Sequence, residues 1–400
     1  MNGTGLRFHW MLPKGGEVVP GARQTPQEAC RYRVESTTSA SVAPLPDIRG
    51  WVYWAKAAER AGIDSTLISF SRYEPDPITI AAALMQETGT LRYMLASRTG
   101  FMQPAIFVQQ INTLSALSNG RVSINVVAGS SAAEQRGYGD FLSHDERYSR
   151  ADEFLACCDA FWQGRGEVDF DGQYFRVEKG RLHTPFVAPD RTSPEIYISG
   201  HSEEAERLAL ARGTSWLRVV DTPEKVAPHV ARARAKGVGV CLRLCLICRP
   251  TREEAVAVMD ALLADDAERR RAVAAARRDD TQLHTTALKN DSRMHAEAVA
   301  ATADGAQWLN RTIFTGFVPF YGPVWTTLIG TPRELADAFL AYRDAGVTEF
   351  ILSGWPELDE VEIFGREVLP LVREVEDRQS CLSRPLVPAA GQAGLPVLHT

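Results

Sequence analysis

The chain has no apolar run approaching the ~20 residues that a membrane span requires, and residues 1–10 lack the apolar core of a secretory signal. It has no excess of basic residues. A net charge of -6 and a pI near 5.8 argue against a nucleic-acid binder, which would show a basic face. There is no G-x-G-x-x-G turn, no phosphate-binding P-loop and no G-x-S-x-G elbow. No set of Asp, Glu and His stands at the spacing of metal ligands, so no metal site is expected. Cysteine is sparse. Cys157 and Cys158 are adjacent, and Cys241, Cys245 and Cys248 share one apolar run, which suggests buried thiols in a reducing compartment. Together these features describe a soluble, cytoplasmic protein with no nucleic-acid or membrane partner.

What remains is an ordinary globular composition, 45% hydrophobic and 24% charged, over 400 residues. That length allows one α/β barrel with insertions or two domains. Strand and helix patterns alternate along it. Strands are expected at 6–12, 65–70, 92–96, 121–130, 195–199, 215–220, 238–248 and 349–353. Helix starts are marked by Asp47, by capping boxes at Ser143–Glu146 and Thr251–Glu254, and by Thr222-Pro223 and Thr331-Pro332. Residues 168–177 suggest a hairpin turning at Asp171-Gly172. Residues 14–46 and the stretch after Gly129 read as loops. Eight strands each followed by helix predict a (β/α)8 TIM barrel, one domain over 1–378, with residues 265–330 inserted between the last two strands and a disordered tail at 379–400.

In such a barrel the active site lies at the C-terminal ends of the strands. Those ends offer Trp10, Ser97, Asn125 with Gly129 and Ser130, the turn Ser199-Gly200-His201-Ser202, Arg243 with Cys245, and Ser353-Gly354-Trp355. Hydroxyls, amides, arginines and aromatics without a metal suit a bound organic cofactor that carries the hard chemistry. The turn at 199–202 ends a strand and opens a helix, so it either binds a phosphate or simply caps the helix through Ser202. Glu203 and Glu204 would repel an anion there unless they point outward.

Several segments together resemble the flavin-dependent monooxygenases of the bacterial luciferase group, in the alkanesulfonate monooxygenase branch. They are Trp10–Pro13, Leu114–Arg121 (Leu-Ser-Ala-Leu-Ser-Asn-Gly-Arg), Asn125–Ser130, Phe141–Tyr148 with Asp-Glu-Arg-Tyr at its end, Val168–Gly172, Ser199–Ser202 and Ile351–Gly354. The resemblance implies a TIM barrel binding reduced FMN from a separate NAD(P)H:flavin reductase. A peroxyflavin formed with O2 then oxygenates a small organic substrate. It places Trp10, Ser97, Asn125, Gly129, Ser130, Tyr148, Gly200, His201 and Ser202 around the flavin. Arg243, Tyr321 and Trp355 fall on the substrate side, residues 265–330 form a lid, and a homodimer or homotetramer is expected. The substrate positions depart from the alkanesulfonate pattern: Glu74 stands for a Cys, Val219 for a Trp, Cys245 for a His, Tyr321 for the lid Arg and Trp355 for a Tyr. Losing a lid cation and gaining aromatics suggests a larger, less anionic substrate, such as a biosynthetic intermediate. Two alternatives keep the fold: a deazaflavin (F420)-dependent oxidoreductase and a non-catalytic flavin-binding protein.

Overall fold

The computed structural model describes residues 5–38, 46–72, 74–129, 132–164, 166–264 and 305–383. Strands alternate with helices because apolar runs bounded by Gly, Asn and Asp turns alternate with capped amphipathic segments. In chain order the strands are β1 (Arg7–Met11), β2 (Ser65–Ile68), β3 (Arg92–Ser97), β4 (Val122–Val126), β5 (Val168–Asp171), β6 (Arg176–Gly180), β7 (Glu195–Ser199), β8 (Ser215–Val219), β9 (Gly239–Arg243), β10 (Cys245–Cys248), β11 (Ile313–Phe314), β12 (Thr327–Gly330) and β13 (Glu349–Leu352). A closed barrel runs β1-β13-β9-β8-β7-β4-β3-β2, every pair parallel. This is the (β/α)8 barrel that the alternation predicts.

Side chains alternate across the barrel wall. Phe8, Trp10, Leu95, Ile124 and Phe350 face outward into the main core under the helices. Leu67, Met94, Ala96, Tyr197, Leu217, Cys241 and Ile351 face inward and fill the barrel's middle. Below them the floor is polar. The Glu349 Oε2 accepts from Arg7 Nη2 at 2.8 Å, His9 Nε2 at 2.9 Å and Tyr197 Oη at 2.6 Å. His9 Nδ1 meets Ser65 Oγ at 2.6 Å, and Arg7 and Arg92 both bind Glu195. Burial alone would raise the Glu349 carboxyl, but the His9 hydrogen bond, the Arg7 charge and the Tyr197 hydroxyl more than offset it and hold it down to about 2.

The resemblance segments acquire structural reasons here. Asn119 adopts a left-handed helix cap at φ 54° and Gly120 follows at φ 81°. Arg121 then ties down the carbonyls of Met85 and Leu91 at 2.7 Å each. Ser143 and Glu146 make the expected capping box on helix His144–Gln163. Thr251 and Glu254 exchange the same pair of bonds, as do Thr331 and Glu334.

Five local expectations are corrected. Residues 14–46 hold a helix, Pro26–Thr38, opened by reciprocal Thr25–Glu28 bonds with Pro26 in its first turn. The stretch after Gly129 holds a short helix, Ala132–Gly137. The expected single strand 238–248 is two: beyond Arg243 the chain keeps bonds to β13 and its continuation through Leu244 and Leu246, while β10 pairs with β12 of the insertion, which antiparallel β11 extends. The hairpin turns over residues 172–175 because Glu153 accepts from the amides of Gln173, Tyr174 and Phe175 at 2.7–2.9 Å. Thr222 precedes helix Pro223–Ala235 without a side-chain cap bond. Cys245 and Cys248, three apart on an extended strand, face different cores, and the described cysteines are free. Residues 265–304 of the expected lid lie outside the described residues, as do residues 384–400 of the tail, whereas helix Leu369–Ser383 runs through 379–383. No described helix is long and apolar enough to cross a membrane.

Candidate functional site

The C-terminal strand ends converge on one mouth. Asn125 points inward from β4, and its Oδ1 accepts from Ser199 Oγ of β7 at 2.6 Å. Its amide nitrogen has no protein partner among the described residues, which leaves two donors for a ligand.

Beside this pair the turn after β7 forms a cradle. Gly200 sits at φ 140°, and a Cβ there would lie 2.6 Å from both Tyr148 Oη and Ala205 Cβ. Tyr148 donates to the Ser199 carbonyl at 3.4 Å. Ser202 Oγ accepts from the Ala205 amide at 3.1 Å, the plain helix cap, and its hydroxyl hydrogen remains available for donation. The amides of Glu203 and Glu204 open the 10-residue helix Glu203–Arg212 without an intrahelical acceptor. Both acidic side chains avoid the cradle: Glu203 is exposed, and Glu204 leans to 4.0 Å from His144 Nδ1. His201 turns elsewhere, its Nε2 accepting from the Val219 amide at 2.8 Å, which fastens the ends of β7 and β8 together. His144, Asp145 and Glu204 bring ligand-type atoms within 4.8 Å of one another at the exposed edge, a cluster that sequence spacing did not suggest.

Across the mouth, Arg243 ends β9 inside the barrel. It donates to Ser353 Oγ at 2.8 Å and to the Leu244 carbonyl at 2.6 Å, with Met11 Sδ 3.2 Å from Nη2. Cys245 Sγ is 3.4 Å from the same Ser353 hydroxyl. Above them Trp355 stacks on Trp325 at 4.1 Å and 15°, and Trp325 on Tyr321 at 4.2 Å and 31°. The insertion thus adds two rings, Tyr321 and Trp325, to Trp355 on this side of the mouth. Trp355 Nε1 is buried without an acceptor among the described residues.

The sequence-predicted residues therefore divide. Asn125, Tyr148, Gly200 and Ser202 gather on one side, Arg243, Tyr321 and Trp355 on the other. Trp10 does not reach the mouth: it faces outward, fully buried, and donates to Glu357 at 2.5 Å. Ser97 also falls on the outer face of the alternation, with Leu95. Gly129, at φ 86°, is packed against Gln135 and Arg98. Ser130 lies outside the described residues. Sequence reasoning missed Trp325, whose role depends on how the insertion folds back. It also missed the buried pair of Lys14 Nζ with Glu74 Oε1 at 2.5 Å, which Ser69 joins at the end of β2. A small cleft lined by Leu12, Lys14, Trp51, Ser69, Glu74 and Ile80 lies beside it.

The whole pattern over residues 25–349 matches that of the luciferase-like monooxygenases. The chain belongs to that family. Solved structures share the fold at low identity. The EDTA monooxygenase EmoA from Chelativorans sp. BNC1 is 21% identical, with 93% of this chain and 94% of that one covered and a TM-score of 0.69. DmoA from Hyphomicrobium sulfonivorans is 19% identical, with 93% and 89% covered and a TM-score of 0.70. An F420-dependent secondary alcohol dehydrogenase, solved with an F420–acetone adduct, is 19% identical, with 92% and 100% covered and a TM-score of 0.60.

Proposed function

We propose that this luciferase-like protein is a two-component monooxygenase that takes reduced FMN from a separate NAD(P)H:flavin reductase and uses O2 to oxygenate a small organic molecule. The observation that carries this reading is the cradle at Gly200, where only a missing Cβ leaves room under the Tyr148 hydroxyl. Two open amides and the Ser202 hydroxyl beside it fit a phosphate, and Asn125 fits the polar edge of a flavin ring. Bound there, reduced FMN would supply the activation of O2.

The chain's own residues do the rest. Asn125 and Ser199 fix the ring's orientation, and Arg243 presents donors where negative charge develops on an oxygen. The stack of Tyr321, Trp325 and Trp355 keeps water from the reacting groups. The same stack supports a substrate larger and less anionic than a simple alkanesulfonate, of the kind met in biosynthesis, and sets the protein apart from the alkanesulfonate branch it otherwise resembles. A homodimer or homotetramer is part of the proposal.

Two experiments test it. Tryptophan-quenching titrations should show FMN binding more tightly than F420, and reduced FMN should support O2 uptake that rises with the right substrate. Tighter binding of F420, with no O2 uptake, would replace the reading with a hydride-transferring one. Gly200→Ala should weaken FMN by at least roughly tenfold while leaving riboflavin, which lacks the phosphate, nearly unchanged. Its backbone cost is on the order of 1–3 kcal/mol, since φ 140° is rarely adopted by a residue with a Cβ.

A further inference from the structure

Arg98 follows β3 directly, continuing the inward side of the alternation that carries Arg92, Met94 and Ala96. Its side chain is 7% exposed, and its Nη2 pairs with Glu134 at 2.6 Å. Its Nε and Nη1 have no acceptor among the described residues. Buried guanidinium donors are almost always satisfied, because leaving them unpaired forfeits their hydration. Two such donors on one arginine, at the end of the barrel where ligands bind, point to an acceptor that arrives with a ligand.

The surroundings say what kind. Nη1 lies against Gly129, where an ideal Cβ would be 2.3 Å away, so the close approach depends on glycine. Arg98 stands 5.6 Å over the Phe70 ring. Phe70, Phe101 and Tyr138 form a cluster with centroids 5.0–6.0 Å apart, and Tyr138 is exposed. The charges do not balance. Among the described residues, the carboxylates set against Arg98, Arg147 and Arg150 are Glu134 and Asp140. Among the described residues Arg147 donates to the carbonyls of Ala128, Leu142 and Gly129. Burial, then the charges of Arg98 and Arg150, lower its pKa against the pull of Asp140. The corner is one negative charge short.

We propose that Arg98 anchors a single carboxylate-type oxyanion of the organic substrate, whose flat apolar body rests on Phe70, Phe101 and Tyr138. Calling that ligand the substrate rests on the proposed function. The flavin phosphate is an alternative source of the same chemistry, but its cradle follows β7, and β4 with Asn125 stands between that cradle and β3. A charged end held at Arg98 also fits a pocket in which Tyr321 replaces the lid cation.

The test uses the flavin-free protein and two probes of one shape, 1-naphthoate and 1-naphthylmethanol, followed by calorimetric titration. Naphthoate should bind at least tenfold more tightly than the alcohol. Arg98→Gln should abolish that preference and leave the alcohol unchanged, and Glu134→Gln, which removes a competing carboxylate, should tighten naphthoate several-fold. Equal binding of the two probes by the native protein, or a preference that survives Arg98→Gln, overturns the proposal. So does a loss of FMN affinity without loss of riboflavin affinity in Arg98→Gln, which would give the arginine to the flavin phosphate. If circular dichroism shows that Arg98→Gln does not fold, Glu134→Gln decides, and unchanged naphthoate affinity overturns the proposal. None of these probe titrations needs flavin, so failure of the FMN reading shows separately, as absent FMN binding.

Discussion

Arg243→Met should lower product formation from reduced FMN, O2 and substrate by roughly 100- to 1000-fold, the usual loss when one preorganised donor to a developing oxyanion is removed. Methionine keeps much of the arginine's length but none of its donors. The loss should appear in kcat more than in KM, because the donor matters most when charge develops. The structure also states the competing outcome. Arg243 ties Ser353 and the carbonyl of Leu244 to the end of β9, and orphaning such groups costs about 1–3 kcal/mol. A variant that keeps its Tm within a few degrees and loses turnover supports a catalytic role. One that loses both in proportion makes Arg243 a brace for the strand ends, and the site must then be rebuilt around another donor.

Glu349→Ala should cost roughly 3–5 kcal/mol of stability, the range for removing one partner of a buried charge network. Arg7, His9 and Tyr197 would all lose the same acceptor. The acid dependence has a definite sign. The carboxyl's pKa falls from its ordinary 4.5 to about 2 in the fold, so its contribution is complete above pH 4.5 and disappears as pH drops through about 2. At about 1.4 kcal/mol per pH unit that amounts to roughly 3 kcal/mol. Denaturant unfolding of the native protein and Glu349→Gln over pH 2–5 should therefore converge toward the acid end. Parallel curves would show that Glu349 is not the group responsible.

The barrel was legible because its signals are local and repeated: eight apolar runs, each closed by turn residues and followed by a helical pattern. The cradle was legible for a similar reason, since Ser199 to Ser202 join a strand to a helix within four residues. What escaped depends on contacts between distant parts of the chain. The break at Leu244 goes with β12, some eighty residues on, with which β10 pairs. The outward direction of Trp10 follows from strand parity, which a one-residue error in register inverts. The Lys14–Glu74 pair joins two loops 60 residues apart, and neither residue alone announces it. The helix at 26–38 was different, because the pattern Thr25-Pro26-Gln27-Glu28 carried its start signal and a Gly- and Ser-rich setting hid it.

The charged plug under the middle layer of the barrel has a kinetic corollary. On the proposed function, with Arg7, His9, Tyr197 and Glu349 filling the bottom, a flavin ring and its substrate would share the mouth at the C-terminal strand ends. The partner admitted last must depart first. Steady-state inhibition by product should then show an ordered pattern, and a bulky product that lingers would hold the spent cofactor captive behind it.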